Sequence, residues 1–129
     1  MAWFAGLVAA ALLILAGVIV LQLRRGRISS AHVATLQREW EHAVSQNDSV
    51  RRLLEAEKVF EHLLSLWRFS GTFADKLRAA GPRFSNVEPL WRAHKLRNRI
   101  AHEAGFHPSE GECAQAVQAY EQALRKFVS

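Results

Sequence analysis

The chain has 129 residues, half of them hydrophobic, with 17 Lys and Arg against 12 Asp and Glu for a formal charge of +5. That length suits one domain of modest core, and a charge this small excludes a binder that holds nucleic acid by bulk charge alone. The single cysteine, Cys113, excludes an internal disulfide and a Cys-rich zinc site, and a lone thiol fits a reducing compartment.

The first element is an unbroken apolar run, "AWFAGLVAAALLILAGVIVL", over residues 2–21. Crossing the hydrocarbon layer of a bilayer takes about 20 such residues at about 1.5 Å each. A cleaved signal peptide would start with a charge, have a shorter apolar centre and end in a small-residue cleavage site. Here no Lys or Arg precedes the run, and Arg24, Arg25 and Arg27 follow it. That order is a stop-transfer pattern, and Lys/Arg-rich flanks stay in the cytoplasm. The expectation is a transmembrane anchor over 1–23, a basic juxtamembrane linker over 24–29 and a helical bundle over 30–129. The protein would pass once through the inner (cytoplasmic) membrane, with Met1 outside and the soluble domain facing the cytoplasm. The three arginines are also placed to touch anionic lipid. Without them the remaining chain carries only 14 Lys and Arg against 12 Asp and Glu.

Beyond Arg27 the spacing of apolar residues is helical and no strand alternation occurs. Ser29 or Ser30 caps a helix whose buried face is Val33, Leu36, Trp40 and Val44. "SQND" ends it, and Asp48 or Ser49 caps the next. That second helix carries Val50, Leu53, Leu54, Val59, Phe60, Leu63, Leu64 and Trp67, a face broad enough for the centre of a bundle. Glu55, Glu57, Lys58 and Glu61 are read as its wet side. After Gly71 a short helix spans 72–80 and closes at Gly81 and Pro82. A further helix spans about 87–104, capped by Ser85 or Asn86, with Pro89 in its first turn. A connector over 105–112 leads to a last helix with Cys113, Val117, Tyr120, Leu124 and Phe127 on one seam. The fold class expected is all-α: one N-terminal transmembrane helix followed by a four- to five-helix up-down bundle.

The helix over 87–104 contains "KLRNRIAHE", a run of polarity where a small domain usually places apolar residues. At about 100° per residue, Val87, Leu90, Trp91, His94, Asn98 and Ala101 share one stripe, and His102 follows on the same side. The stripe starts apolar and turns polar without leaving the buried side. Buried polar groups cost a few kcal/mol when unpaired, so His94, Asn98 and His102 are expected to find partners. These are other core groups, a second copy of the chain, or a ligand in a cleft. A metal is not expected. His94 and His102 are about 12 Å apart along the axis, too far for one ion, and no carboxylate completes a set with His102 and His107.

The hexapeptide "RNRIAH" puts Arg97 and Asn98 ahead of His102, with four residues between Arg and His. This arrangement, within "LWRAHKLRNRIAHEAGF", resembles the motif helix of the HEPN superfamily, small all-α domains in which an Arg, often followed by a polar residue, precedes a His by four to six positions. The resemblance covers the chain from about Ile28 onwards and not the apolar run. It implies a bundle of HEPN type, metal-independent RNA cleavage or non-catalytic binding of nucleic acid or nucleotide, and a homodimer in which two motifs share one cleft. On that pattern His102 is the acid or base, Arg97 holds the phosphate and Asn98 orients one of them. Arg92, Lys95 and Arg99 extend a basic patch that binds substrate, and His94 and Trp91 support the site or an interface. No metal and no cofactor is expected.

The chemistry suits these residue types. Cleaving RNA without metal uses the 2′-hydroxyl against its neighbouring phosphate, which calls for a group that moves protons near neutral pH and a fixed cation for the developing negative charge. Imidazole and guanidinium fill those roles. The expected function is therefore a membrane-anchored RNA-binding domain and metal-independent endoribonuclease. The alternative is a non-catalytic membrane-tethered module that dimerises, binds a nucleotide or engages another protein.

Overall fold

The structure, a computed structural model, describes residues 2–25 and 27–128. Six α-helices follow in order: α1 (Ala2–Arg25), α2 (Ser30–Val44), α3 (Ser49–Leu66), α4 (Phe73–Ala80), α5 (Glu88–His102) and α6 (Glu110–Val128), with a 3₁₀ turn at Gly81–Arg83 between α4 and α5. Among the described residues there is no strand.

Helix α1 stands apart from the rest. Its Ala2–Leu21 portion is long and apolar enough to cross a membrane, with a mean hydropathy of 2.9, and none of it is buried against the bundle. Trp3 and Phe4 near its start are exposed. Among the described residues α1 packs on no other element. Of the basic linker, Gly26 and the side chains of Arg24 and Arg25 lie outside the described residues, and Arg27 is exposed. Ile28 already packs on the core.

Local chemistry sets the helix starts. Ser29 caps α2 by accepting from the His32 N–H, and Asp48 caps α3 by accepting from the Arg51 N–H at 2.7 Å. Thr72 and Asp75 form a reciprocal capping box on α4. Gly71 enters that turn with φ +98, and a Cβ there would lie 2.8 Å from the Asp75 carboxylate, so glycine is required both by conformation and by space. At α6 a second reciprocal pair forms, the Glu112 N–H to Ser109 Oγ and the Ser109 N–H to Glu112 Oε2. Helix α5 departs from expectation. Its cap position is Val87, with no side-chain bond, and Asn86 acts from one residue earlier by accepting from the Glu88 N–H. Helix α3 ends in a Schellman turn: the Phe69 N–H reaches the Leu64 carbonyl and the Arg68 N–H the Ser65 carbonyl. Arg68 holds the left-handed position, φ 64, that glycine usually takes.

Helix α3 is central, packing on α2, α4, α5 and α6. Its Leu53, Ala56, Phe60, Leu63, Leu64 and the following Trp67 are all but fully buried. Phe60 meets Phe73, Phe84 and Tyr120 at ring separations of 5.2 to 6.0 Å. Helix α2 lies at the edge. Leu36 and Ala43 are its fully buried residues, Val33 and Trp40 are half-buried, and Val44 faces solvent. The four-residue stripe read from the sequence thus turns partly outward, because only α3 and the margin of α6 cover this helix.

Candidate functional site

Helix α5 buries Leu90, Ala93 and His94. Leu90 and Ala93 are ordinary core. His94 needs a polar neighbour, and the fold supplies one from α3. Its Nδ1 lies 3.4 Å from both oxygens of Glu57. Glu57 is itself only 6% exposed, and it accepts a short 2.7 Å hydrogen bond from the Tyr120 hydroxyl on α6. The Arg97 guanidinium closes the group, with Nε 3.4 Å from Glu57 Oε1. Three helices therefore converge on one carboxylate. Phe73 of α4 stacks on the His94 ring at 4.4 Å, and Trp91 meets it edge-on at 6.3 Å.

The hydrogen-bond directions are mutually consistent. A carboxylate can only accept, so His94 Nδ1 carries a proton toward Glu57. On the other side of the ring, Asn98 Nδ2 stands 3.2 Å from His94 Nε2. Asn98 Oδ1 in turn accepts from Arg97 Nη1 at 3.5 Å. The order runs Arg97 to Asn98 to His94 to Glu57, with Tyr120 and Arg97 also on Glu57. Burial first, and then the adjacent carboxylate, push the Tyr120 phenol far above its ordinary range, so it stays a donor. A buried carboxylate is costly alone. Here the Arg97 guanidinium, the His94 ring and the Tyr120 hydroxyl meet it.

The remaining motif residues lie elsewhere. His102 is the last residue of α5 and is exposed. It is not on the buried side that the stripe implies, because α5 ends at this residue and its side chain is left in solvent. Among the described residues its ring makes no hydrogen bond. Arg99 is exposed, pairs with Glu103 at 3.2 Å and lies 3.9 Å over the Phe106 ring. Arg92, Lys95 and Arg99 form one wall of a groove of about 460 Å³ between α5 and α6. Gln115, Gln118 and Gln122 form the facing wall together with the carboxylate of Glu112, and apolar side chains such as Leu96 and Ala119 lie between the walls. So Arg97, Asn98 and His94 come together around Glu57, the three outer cations come together on the groove, and His102 joins neither set in a single chain.

Glu57 and Tyr120 are the site members that sequence reasoning missed. Charge alone puts Glu57 on the wet side of its helix, and the helical pattern puts Tyr120 in the packing seam of α6. The spacing held a signal: Leu53, Glu57, Phe60 and Leu64 recur at steps of four, three and four, so Glu57 interrupts the buried stripe itself. Cys113 is buried, as its place on the α6 seam implied, and burial raises its thiol pKa, so it stays protonated. Among the described residues no three His, Cys, Asp or Glu side chains are grouped to hold a metal ion.

Comparison of the chain with protein-family models, with curated proteins and with solved structures finds no match.

Proposed function

We propose that this is a single-span membrane protein of HEPN-like type whose cytoplasmic bundle binds RNA along α5 and, as a homodimer, cleaves it without a metal ion. The observation that carries the reading is the state of Arg97. One edge of its guanidinium is held by Glu57 and Asn98, while its side chain keeps 38% exposure. A cation fixed in this way can meet a phosphate with little further ordering. His102, five residues on, presents a free imidazole with an ordinary reach into solvent. The two residues are about 140° apart on the helix, so one chain does not gather them, and a second copy supplies the missing half of each pair.

In such a cleft a neutral His102 takes the proton of the 2′-hydroxyl as its oxygen bonds to phosphorus. The His102 imidazolium of the other copy protonates the departing 5′-oxygen as the P–O5′ bond breaks. Arg97 bears the charge on the phosphorane. The products are a 2′,3′-cyclic phosphate and a 5′-hydroxyl. Arg92, Lys95 and Arg99 hold flanking phosphates.

The test is incubation of the full chain in detergent micelles with end-labelled single-stranded RNA and EDTA. Cleavage should leave cyclic-phosphate ends, spare an all-deoxy oligonucleotide, and disappear in His102→Ala while binding persists. No cleavage, or cleavage unchanged in His102→Ala, removes the enzyme.

One observation favours a second reading. The Arg97, Asn98, His94, Glu57 and Tyr120 group is closed upon itself, as packing chemistry would be. On that reading the protein is a tethered module for dimerisation, nucleotide or protein binding, and RNA is neither bound nor cut. The anchor's direction is tested separately by protease digestion of sealed membrane vesicles. Inside-out vesicles should lose the bundle and right-side-out vesicles should keep it.

A further inference from the structure

One end of the bundle is assembled from four places in the chain. Trp67, just past α3, meets Phe127 near the end of α6 at 4.3 Å and Phe84, after the 3₁₀ turn, at 6.0 Å. The Arg83 guanidinium lies 4.8 Å over the Trp67 ring, and Lys126 donates to the Ser85 hydroxyl at 2.9 Å. The start of α2 belongs to the same end. Helices α2 and α3 are joined by a tight turn and run antiparallel, with Glu39 paired to His62 across them. From Glu39 back to Ser30 is about 13 Å and from His62 on to Trp67 about 7 Å in the same direction, so α2 begins at or slightly beyond the level of Trp67.

This is also the end to which α1 is tied. Helix α1 closes at Arg25, and Ile28 is already packed on the core. Three residues fully extended span about 10 Å, roughly one Debye length at physiological salt. The bundle therefore has no room to float free of whatever surface holds α1.

Charge is partitioned along the same axis. Residues 24–33, 66–90 and 119–129, which build this end and its flanks, contain nine Lys and Arg against three Asp and Glu; the rest of the chain contains eight against nine. Arg27, Arg68 and Lys126 are exposed, and Arg83 is half-buried on its aromatic platform. Arg68 occupies a left-handed backbone position, the one glycine usually takes after a helix, and its side chain stands in solvent.

We propose that this end is a docking face for acidic phospholipid headgroups: Arg27, Arg68, Arg83 and Lys126 rest on the leaflet through which α1 enters. The inference rests on the reading of α1 as a membrane span. Its consequence is orientation. Lys126 and Ser85 mark the start of α5, and α5 runs about 22 Å from there to His102. Docking thus directs Arg97, the basic groove and His102 away from the lipid, where a second copy and a polyanion can reach them.

The test uses the full chain in vesicles of phosphatidylcholine alone or with phosphatidylglycerol. A bimane label is placed at Arg68→Cys or, as the far-end reference, at Asn47→Cys; the native thiol of Cys113 is buried. Quenching by acrylamide, which is uncharged, should be several-fold weaker at position 68 than at 47 when phosphatidylglycerol is present. The contrast should collapse in phosphatidylcholine and in Arg27→Glu/Lys126→Glu. Equal quenching at both positions, with the chain still floating with the vesicles, overturns docking and leaves the anchor standing. Equal protection of position 68 in both lipids overturns headgroup recognition. A chain that does not float with vesicles overturns the anchor and the docking with it.

Discussion

Two regions of α5 are built from the same residue types and obey opposite rules. On its inner side His94, Arg97 and Asn98 turn toward Glu57 and Tyr120 and satisfy one another at 2.7 to 3.5 Å. On its outer side and final turn Arg92, Lys95, Arg99 and His102 meet water. The difference teaches that a polar residue's role is set by what covers it. The inner set is a structural network with one cationic edge in solvent. The outer set is exposed and has little to do with stability.

The comparison breaks most visibly at Glu57. Glu57→Ala leaves Arg97, His94 and the Tyr120 hydroxyl without their common acceptor, and breaking a buried pair from one side typically costs 3–5 kcal/mol. With Arg97 partly in water, the low end, about 3 kcal/mol, is expected, read from the urea midpoint. Tyr120→Phe removes only the shortest bond to that carboxylate and should cost about 2 kcal/mol. It also carries a pH signature. The unfolded phenol ionises near pH 10, whereas the folded one is held protonated well above that. The contribution of Tyr120 is therefore complete below about pH 10 and falls as pH rises further, since the unfolded chain then loses a proton that the fold retains. Tyr120→Phe should flatten that alkaline loss, and Tyr120 is the chain's single tyrosine.

On the outer side the stability effects shrink. Arg99→Ala loses an exposed ion pair with Glu103 and a contact with Phe106, and should cost about 0.5 kcal/mol or less. If the groove tracks phosphates, the same change lowers the salt slope of RNA affinity by about 1. His102→Ala should leave stability within about 0.5 kcal/mol of wild type, by thermal melting, while it removes any RNA cleavage. A large melting loss in His102→Ala would mean that the end of α5 is covered in the working assembly.

The helix boundaries were legible because they are local. Ser29, Asp48 and the Thr72–Asp75 box act within three residues of themselves. The apolar run of α1 and the central position of α3 were legible from length and from breadth of apolar face. The inner network was half legible. His94 and Asn98 fell on the buried stripe of α5, but Glu57 carried a charge, and a charge on a helix is usually wet. His102 was misplaced for the converse reason: the wheel gives an angle and says nothing of where the covering helices stop.

The sequence by itself determined the run of helices, the caps of α2 and α3 and the apolar character of α1, since propensity, capping and periodicity work over a few residues. Only the tertiary structure decided that Glu57 is buried and His102 is not. Glu57 can stay buried because donors 37 and 63 residues away, on α5 and α6, arrive at its oxygens, and no pattern within α3 encodes that arrival.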